Sequence, residues 1–179
     1  MINITKRRID ESEAMLAIEA IKYTPNIVGY TRKEWLKCEH IIIAEDERGQ
    51  MLGACLNYDF AEKWTKIAAL YVFDEFRGRG IGRSLFYKSF DDATNRHKNV
   101  YTISRNPTVI KMMNELNFTT FDSFLNFPDR FQPDLLDFYI HSLQWLASPY
   151  RIQEIVRKQI AFPSQQDFIY GLKSNVKYC

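Results

Sequence analysis

Residues 77 to 83 read Arg77-Gly78-Arg79-Gly80-Ile81-Gly82-Arg83, a run suited to holding an anion. Glycines remove the Cβ atoms that would keep a phosphate off the backbone. They also accept the positive φ angles that let successive amides converge on one anion. Three arginines add charge and a planar donor fork that matches phosphate oxygens. The flanking elements must aim this turn. A strand-like run from Ile67 to Phe73 precedes it and a helix-like run beginning near Arg83 follows, so the positive end of the helix dipole falls on the same spot.

Spacing narrows the kind of phosphate ligand. A dinucleotide fingerprint needs glycine where Arg83 stands, and a nucleotide P-loop needs Gly-Lys-Ser/Thr where Gly82 is followed by Arg83. What does match is Arg-x-x-Gly-x-Gly, read as Arg77, Gly80 and Gly82, preceded by Leu70-Tyr71-Val72-Phe73-Asp74-Glu75-Phe76. This resembles motif A of the GNAT superfamily of acyl-CoA-dependent N-acyltransferases. A downstream βα unit resembles the family too: Asn106 opens a helix that closes on Leu116-Asn117-Phe118, where relatives carry a Leu-Gly-Phe-like phrase. Asn replaces Gly in a left-handed helix cap at small cost.

The resemblance covers roughly residues 1–127 plus the last strand. It implies an α/β (α+β) fold with a central mixed, mostly antiparallel sheet of about seven strands flanked by helices. It also implies acetyl-CoA as acyl donor, with the backbone of Leu70, Tyr71 and Val72 along pantetheine. Arg77, Gly78, Arg79, Gly80, Ile81, Gly82 and Arg83 would surround the pyrophosphate, with Asn106 beside the cofactor. The implied reaction is N-acetyl transfer to a primary amine by direct attack in a ternary complex. Neither a metal nor a covalent intermediate is needed.

Two departures from the family pattern bear on catalysis. Many relatives place a glutamate on the strand before motif A, but Trp64 to Phe73 contains none, which leaves Glu62 and Asp59 at its entrance as substitute bases. Many also carry a tyrosine in the helix after Asn106, where this chain has Met112-Met113. Methionine donates no proton, so Tyr101 or Ser104 serves, or the thiolate leaves unaided. A thiol pKa of about 8.5 permits the latter.

The chain has 179 residues, 46% of them apolar, which suits one domain over 1–179 with a sizeable core. A net charge of +2 gives no general surface for nucleic acid or membrane. Cys38, Cys55 and Cys179 show no CxxC spacing, and His40, His97 and His141 have no i,i+4 partner, so neither a disulfide framework nor a metal site is expected. The start at Met1 has no apolar leader and no run is long enough to span a membrane, which together with the cysteine pattern predicts a cytoplasmic protein.

Periodicity orders the rest. Strands are predicted over Ile2 to Ile9, His40 to Ala44, Met51 to Tyr58, Trp64 to Phe73, Val100 to Ser104, Phe118 to Phe127 and Gln166 to Leu172. Helices follow Asp10, a Thr31–Glu34 capping box, the glycine turn and Pro107. In the first helix Ala14, Met15, Ile18 and Ile21 form the apolar stripe. Relatives join their last two strands by a short connection, whereas here residues 128–165 form an insertion of two helices. One carries Leu135, Leu136, Tyr139, Leu143 and Leu146 and the other Ile152, Ile155, Val156 and Ile160. The insertion suits a wall of the acceptor pocket or a packing surface, including one for a homodimer. Two other readings of the chain stay open. It is either a non-catalytic acyl-CoA-binding or regulatory module, or an interaction protein assembling through the helical insertion.

Overall fold

The computed structural model describes residues 1–163 and 167–175. The elements run β1 (Asn3–Lys6), α1 (Glu11–Lys22), α2 (Arg32–Lys37), β2 (His40–Glu45), β3 (Met51–Phe60) and β4 (Trp64–Val72). Next come α3 (Ile81–Asn95), β5 (Asn99–Ser104), α4 (Pro107–Glu115), β6 (Thr119–Phe121), α5 (Leu135–Leu146), α6 (Pro149–Ala161) and β7 (Ile169–Lys173). They form one seven-stranded sheet in the order β1-β2-β3-β4-β5-β7-β6. Only β4 and β5 pair in parallel; every other neighbouring pair is antiparallel. This is the mixed sheet the sequence predicts.

Local chemistry sets the element boundaries. Asp10 and Thr31 each accept from the backbone three residues on, while Glu13 and Glu34 return the bond, giving complete capping boxes for α1 and α2. Asn106 caps α4 with Pro107 in its first turn, and Asn117 ends that helix at φ +54°. β6 stops at Phe121, well short of Phe127, because Ser123 accepts from the amide of Leu125 and starts a short 3₁₀ turn. β1 likewise ends at Lys6, ahead of the predicted Ile9. β7 begins at Ile169, and the predicted first residue of that strand, Gln166, lies outside the described residues.

Helices cover both faces. Ala14, Ala17 and Ile21 of α1 and Trp35 of α2 pack on Ile41, Ile43, Leu56 and Ala69, while Met15 is half exposed. Leu85 and Phe86 of α3 and Met112 and Met113 of α4 pack on Ile42, Cys55 and Ile67 across the sheet. A third cluster, with Trp64, Tyr101, Phe121, Phe127 and Phe138, lies beneath α5. Each such buried side chain contributes about 1.5–3 kcal/mol.

The two helices between β6 and β7 run against their sequence pattern. Leu136, Tyr139, Leu143, Leu146, Ile152, Val156 and Ile160 face outward, whereas Arg151, Glu154 and Lys158 are buried. The inner polar groups have specific anchors. Arg151 bonds Glu34 of α2 at 2.5 Å, and the Lys158 ammonium donates to the carbonyls of Ile21 at the end of α1 and of Thr24 and Ile27 in the loop that follows it. Three carbonyls for one ammonium offset the loss of water that burial imposes.

Candidate functional site

The site begins where two strands part. β4 and β5 pair from Trp64–Asn99 to Ile67–Thr102 and no further. At the same point the β3–β4 register slips: Leu56 faces Ala69 and Asn57 faces Ile67, so Ala68 is a bulged residue with no opposite number. Beyond it β4 bends away from β5 and leaves a cleft of about 470 Å³. The cleft is walled by Ala68, Leu70, Tyr71 and Val72 of β4, Ile103 and Ser104 of β5, and Thr24, Asn26 and Ile27 of the α1–α2 loop.

Its far end is the glycine turn. Gly78 and Gly80 have φ of +77° and +78°, a region that side-chain-bearing residues rarely enter, and Gly80 is the N-cap of α3. A Cβ at either position would meet no protein atom within 4 Å, so the demand for glycine is conformational and leaves the backbone open. The amides of Ile81, Gly82 and Arg83 belong to the first turn of α3 and have no intrahelical acceptor, which leaves them open to an acceptor from outside the helix. Its arginines are held on the rim. Arg77 bonds Asp74 at 2.8 Å and the Val72 carbonyl at 3.1 Å, and Arg83 bonds Glu115 at 2.7 Å. Exposed pairs of this kind are worth little and exchange readily for phosphate.

Of the residues expected around the cofactor, Leu70, Tyr71, Val72, Arg77, Gly78, Gly80, Ile81, Gly82, Arg83 and Asn106 all line the cleft. Arg79 does not; its guanidinium turns back to the Glu75 carbonyl and the Phe76 ring. Of the three catalytic candidates, only Ser104 faces the cleft, where its hydroxyl accepts from the Asn106 amide at 3.0 Å and keeps its own proton free to donate. Glu62 is exposed in the β3–β4 turn at φ +57°, at the opposite end of β4 from the cleft. Tyr101 is buried against Phe60 and Phe138, and burial pushes its hydroxyl pKa well up. Asp59 is engaged by Arg96 and Thr65 at 2.6 Å each. Among the described residues, the cleft lining contains no carboxylate.

Sequence reasoning missed Lys66. It stands two residues before the bulge, 5% exposed, with its ammonium over the rings of Trp145 at 4.9 Å, Tyr101 at 5.5 Å and Tyr58 at 6.0 Å. Burial, and then the nearby Arg151 charge, pull its pKa down to about 7, against a smaller opposing pull from Glu34. His141 of α5 stacks on Phe60 at 4.2 Å, and burial with the Lys66 and Arg151 charges holds its pKa down at about 3. The signal was a lysine in the otherwise apolar stretch Ile67-Ala68-Ala69-Leu70 and its preceding Trp64.

Comparison with known proteins fits this geometry. The model of the acetyltransferase (GNAT) family matches residues 8–118. This chain belongs to the GNAT family. The match takes in β4, the glycine turn, α3, β5 and α4, and stops before α5 and α6. Among curated proteins, no relative is found. Solved GNAT-like structures share the fold at low identity. N-acetylglutamate synthase from Neisseria gonorrhoeae, complexed with coenzyme A and N-acetyl-glutamate, superposes at TM-score 0.62 and 16% identity over 99% of this chain, which spans 36% of that protein's length. The ribosomal-protein-S18-alanine N-acetyltransferase from Escherichia coli gives 0.62 at 12% identity, over 100% of this chain and 97% of its own. Rv2747 from Mycobacterium tuberculosis, in complex with CoA and NLQ, gives 0.62 at 13%, over 94% and 97%. Among the described residues of this GNAT protein, no helix is long and apolar enough to cross a membrane and no cluster of His, Cys, Asp or Glu is grouped to hold a metal.

Proposed function

We propose that this protein is an N-acetyltransferase that moves the acetyl group of acetyl-CoA to the primary amine of an acceptor. The observation that carries this is the alignment of three features along one cleft: the free amides at the start of α3, the unpaired edge of β4, and the bulge at Ala68 where β5 departs. The α3 amides with Arg77 and Arg83 would hold the pyrophosphate, and the open edge at Leu70 to Val72 would pair with the pantetheine amides as an added half-strand. Bound acetyl-CoA supplies a thioester activated toward amines.

The remaining chemistry belongs to the chain. Amides of the splayed segment from Ala68 to Leu70 would donate to the carbonyl oxygen as it gains charge, and the narrow cleft would hold the amine against the carbonyl carbon. Ser104 can donate its hydroxyl proton toward the departing sulfur. With no carboxylate in the lining, the amine must arrive without its extra proton. The test is calorimetry with CoA set against inorganic phosphate, followed by thiol release across a panel of amines. CoA-selective binding with amine-dependent release is expected; phosphate bound as well as CoA would reject the reading. CoA binding without release from any amine would favour the non-catalytic module instead.

A further inference from the structure

Where α5 and α6 pack on β4, buried side chains carry more positive charge than their neighbours balance. Lys66 has no carboxylate within salt-bridge distance among the described residues, and its surroundings are aromatic: Trp145, Tyr101 and Tyr58. Arg151, 2% exposed, reaches the same Trp145 ring from α6, with its guanidinium 4.5 Å from that ring and 4.7 Å from that of Tyr30. One carboxylate is present, and it is spent. Glu34 gives one oxygen to Arg151 and the other to the amide and hydroxyl of Thr31. Two cations facing one carboxylate leave a single positive charge once Lys66 is protonated. Three buried nitrogens here, Nε of Arg151, Nε2 of His141 and Nε1 of Trp145, have no hydrogen-bond partner among the described residues.

A buried ammonium without a counter-charge costs several kcal/mol, a burden that binding an anion removes. The charge balance calls for a monoanion, and an ammonium and a planar guanidinium on one indole ring suit a flat group that both can share. A carboxylate meets both conditions. Lys66 stands two residues before Ala68 on β4, where the amine must meet the thioester under the acetyltransferase reading on which this inference rests. We propose that the acceptor is an amine that also carries a carboxylate, and that this carboxylate docks on Lys66 and Arg151 beneath Trp145 and His141 of α5. Trp145, near the end of α5, roofs the site and must turn aside to admit it.

The test is calorimetric titration of the full-length protein, with and without saturating CoA, using N-acetyl amino acids and their methyl esters as probes. Free acids that bind at least tenfold more tightly than their esters are expected. The preference should vanish in Lys66→Met, whose affinity for CoA stays unchanged. Binding of the acid near pH 8 should also take up a proton, seen as a dependence of the heat on buffer ionisation, because a carboxylate beside Lys66 favours its charged form. A wild-type protein that binds no acid better than its ester overturns the proposal, as does Lys66→Met binding acids like the wild type. CoA binding is read separately, so its failure would strike the acetyl-donor reading while the acid–ester comparison still judges the carboxylate site.

Discussion

The Thr102 hydroxyl donates to the Ile67 carbonyl at 3.1 Å, across the last rung of the parallel β4–β5 ladder. One residue later Ala68 bulges and the strands separate. A side-chain bond thus reinforces the ladder at the point where backbone pairing ends, and the mouth of the cleft is fixed there. Thr102→Val preserves volume and removes this bond. We expect it to cost about 1 kcal/mol in urea denaturation and to weaken CoA affinity in calorimetry, since the splay loses its fixed vertex. Unchanged CoA affinity would show that the rung does not position the cleft.

Gly80 and Gly82 separate conformational need from ligand approach. Gly80 sits at φ +78°, so Gly80→Ala is expected to cost roughly 1–2 kcal/mol of stability. Gly82 has ordinary helical geometry, and a Cβ there meets only Val72 Cγ2, at 3.6 Å. Gly82→Val should therefore fold with near-normal thermal stability and lose CoA affinity by at least about tenfold, because the added atoms stand where a phosphate approaches the amides. Retained affinity in Gly82→Val would place the anion elsewhere.

Ser104 and Glu62 divide on turnover. With its hydroxyl in the cleft, Ser104→Ala is expected to lower kcat by about a hundredfold while leaving the KM for acetyl-CoA little changed, at the low end of what general-acid assistance supplies. Glu62→Gln should leave kcat and its pH profile within about twofold. Steady-state kinetics over pH 6 to 9 reads both. A kcat more than about tenfold lower in Glu62→Gln would restore that carboxylate as the base.

Lys66 makes stability depend on pH with a defined sign. Its folded pKa is lowered from 10.5 to about 7, so between those values the unfolded chain holds a proton that the folded chain does not. Stability contributed by this group therefore rises with pH across that window, and the full penalty is felt below about pH 7. Lys158, lowered to about 8, adds a slope of the same sign that both proteins share. Lys66→Met should flatten the rise and stabilise the protein by about 1–4 kcal/mol at pH 6. Denaturation at pH 6 and pH 9 checks this; a variant less stable than wild type at pH 6 would contradict a penalised cation.

Much of the site was legible because it is local. Gly78 and Gly80 declare a positive-φ turn, Asn117 a left-handed cap, and Thr31 with Glu34 a helix start. Each depends on bonds within a few residues. The polar groups of α5 and α6 were not. Leu136 and Leu143 on α5, and Ile152, Val156 and Ile160 on α6, form apolar stripes at helical spacing, and spacing says nothing about which side meets the protein. That choice was made by Glu34 and by the carbonyls of Ile21, Thr24 and Ile27, more than a hundred residues away in the chain.

By itself the sequence determined the positive-φ glycine turn, the strand and helices that flank it, and the family to which they point, because glycine placement, capping residues and apolar period act over a single turn or strand. Only the tertiary structure decided where β5 leaves β4, which candidate side chains reach the cleft, and that Lys66 is enclosed with Arg151. Those outcomes depend on strand register and on the desolvation of charges brought together by distant segments, and neither quantity exists until the sheet has closed and α5 and α6 have packed against it.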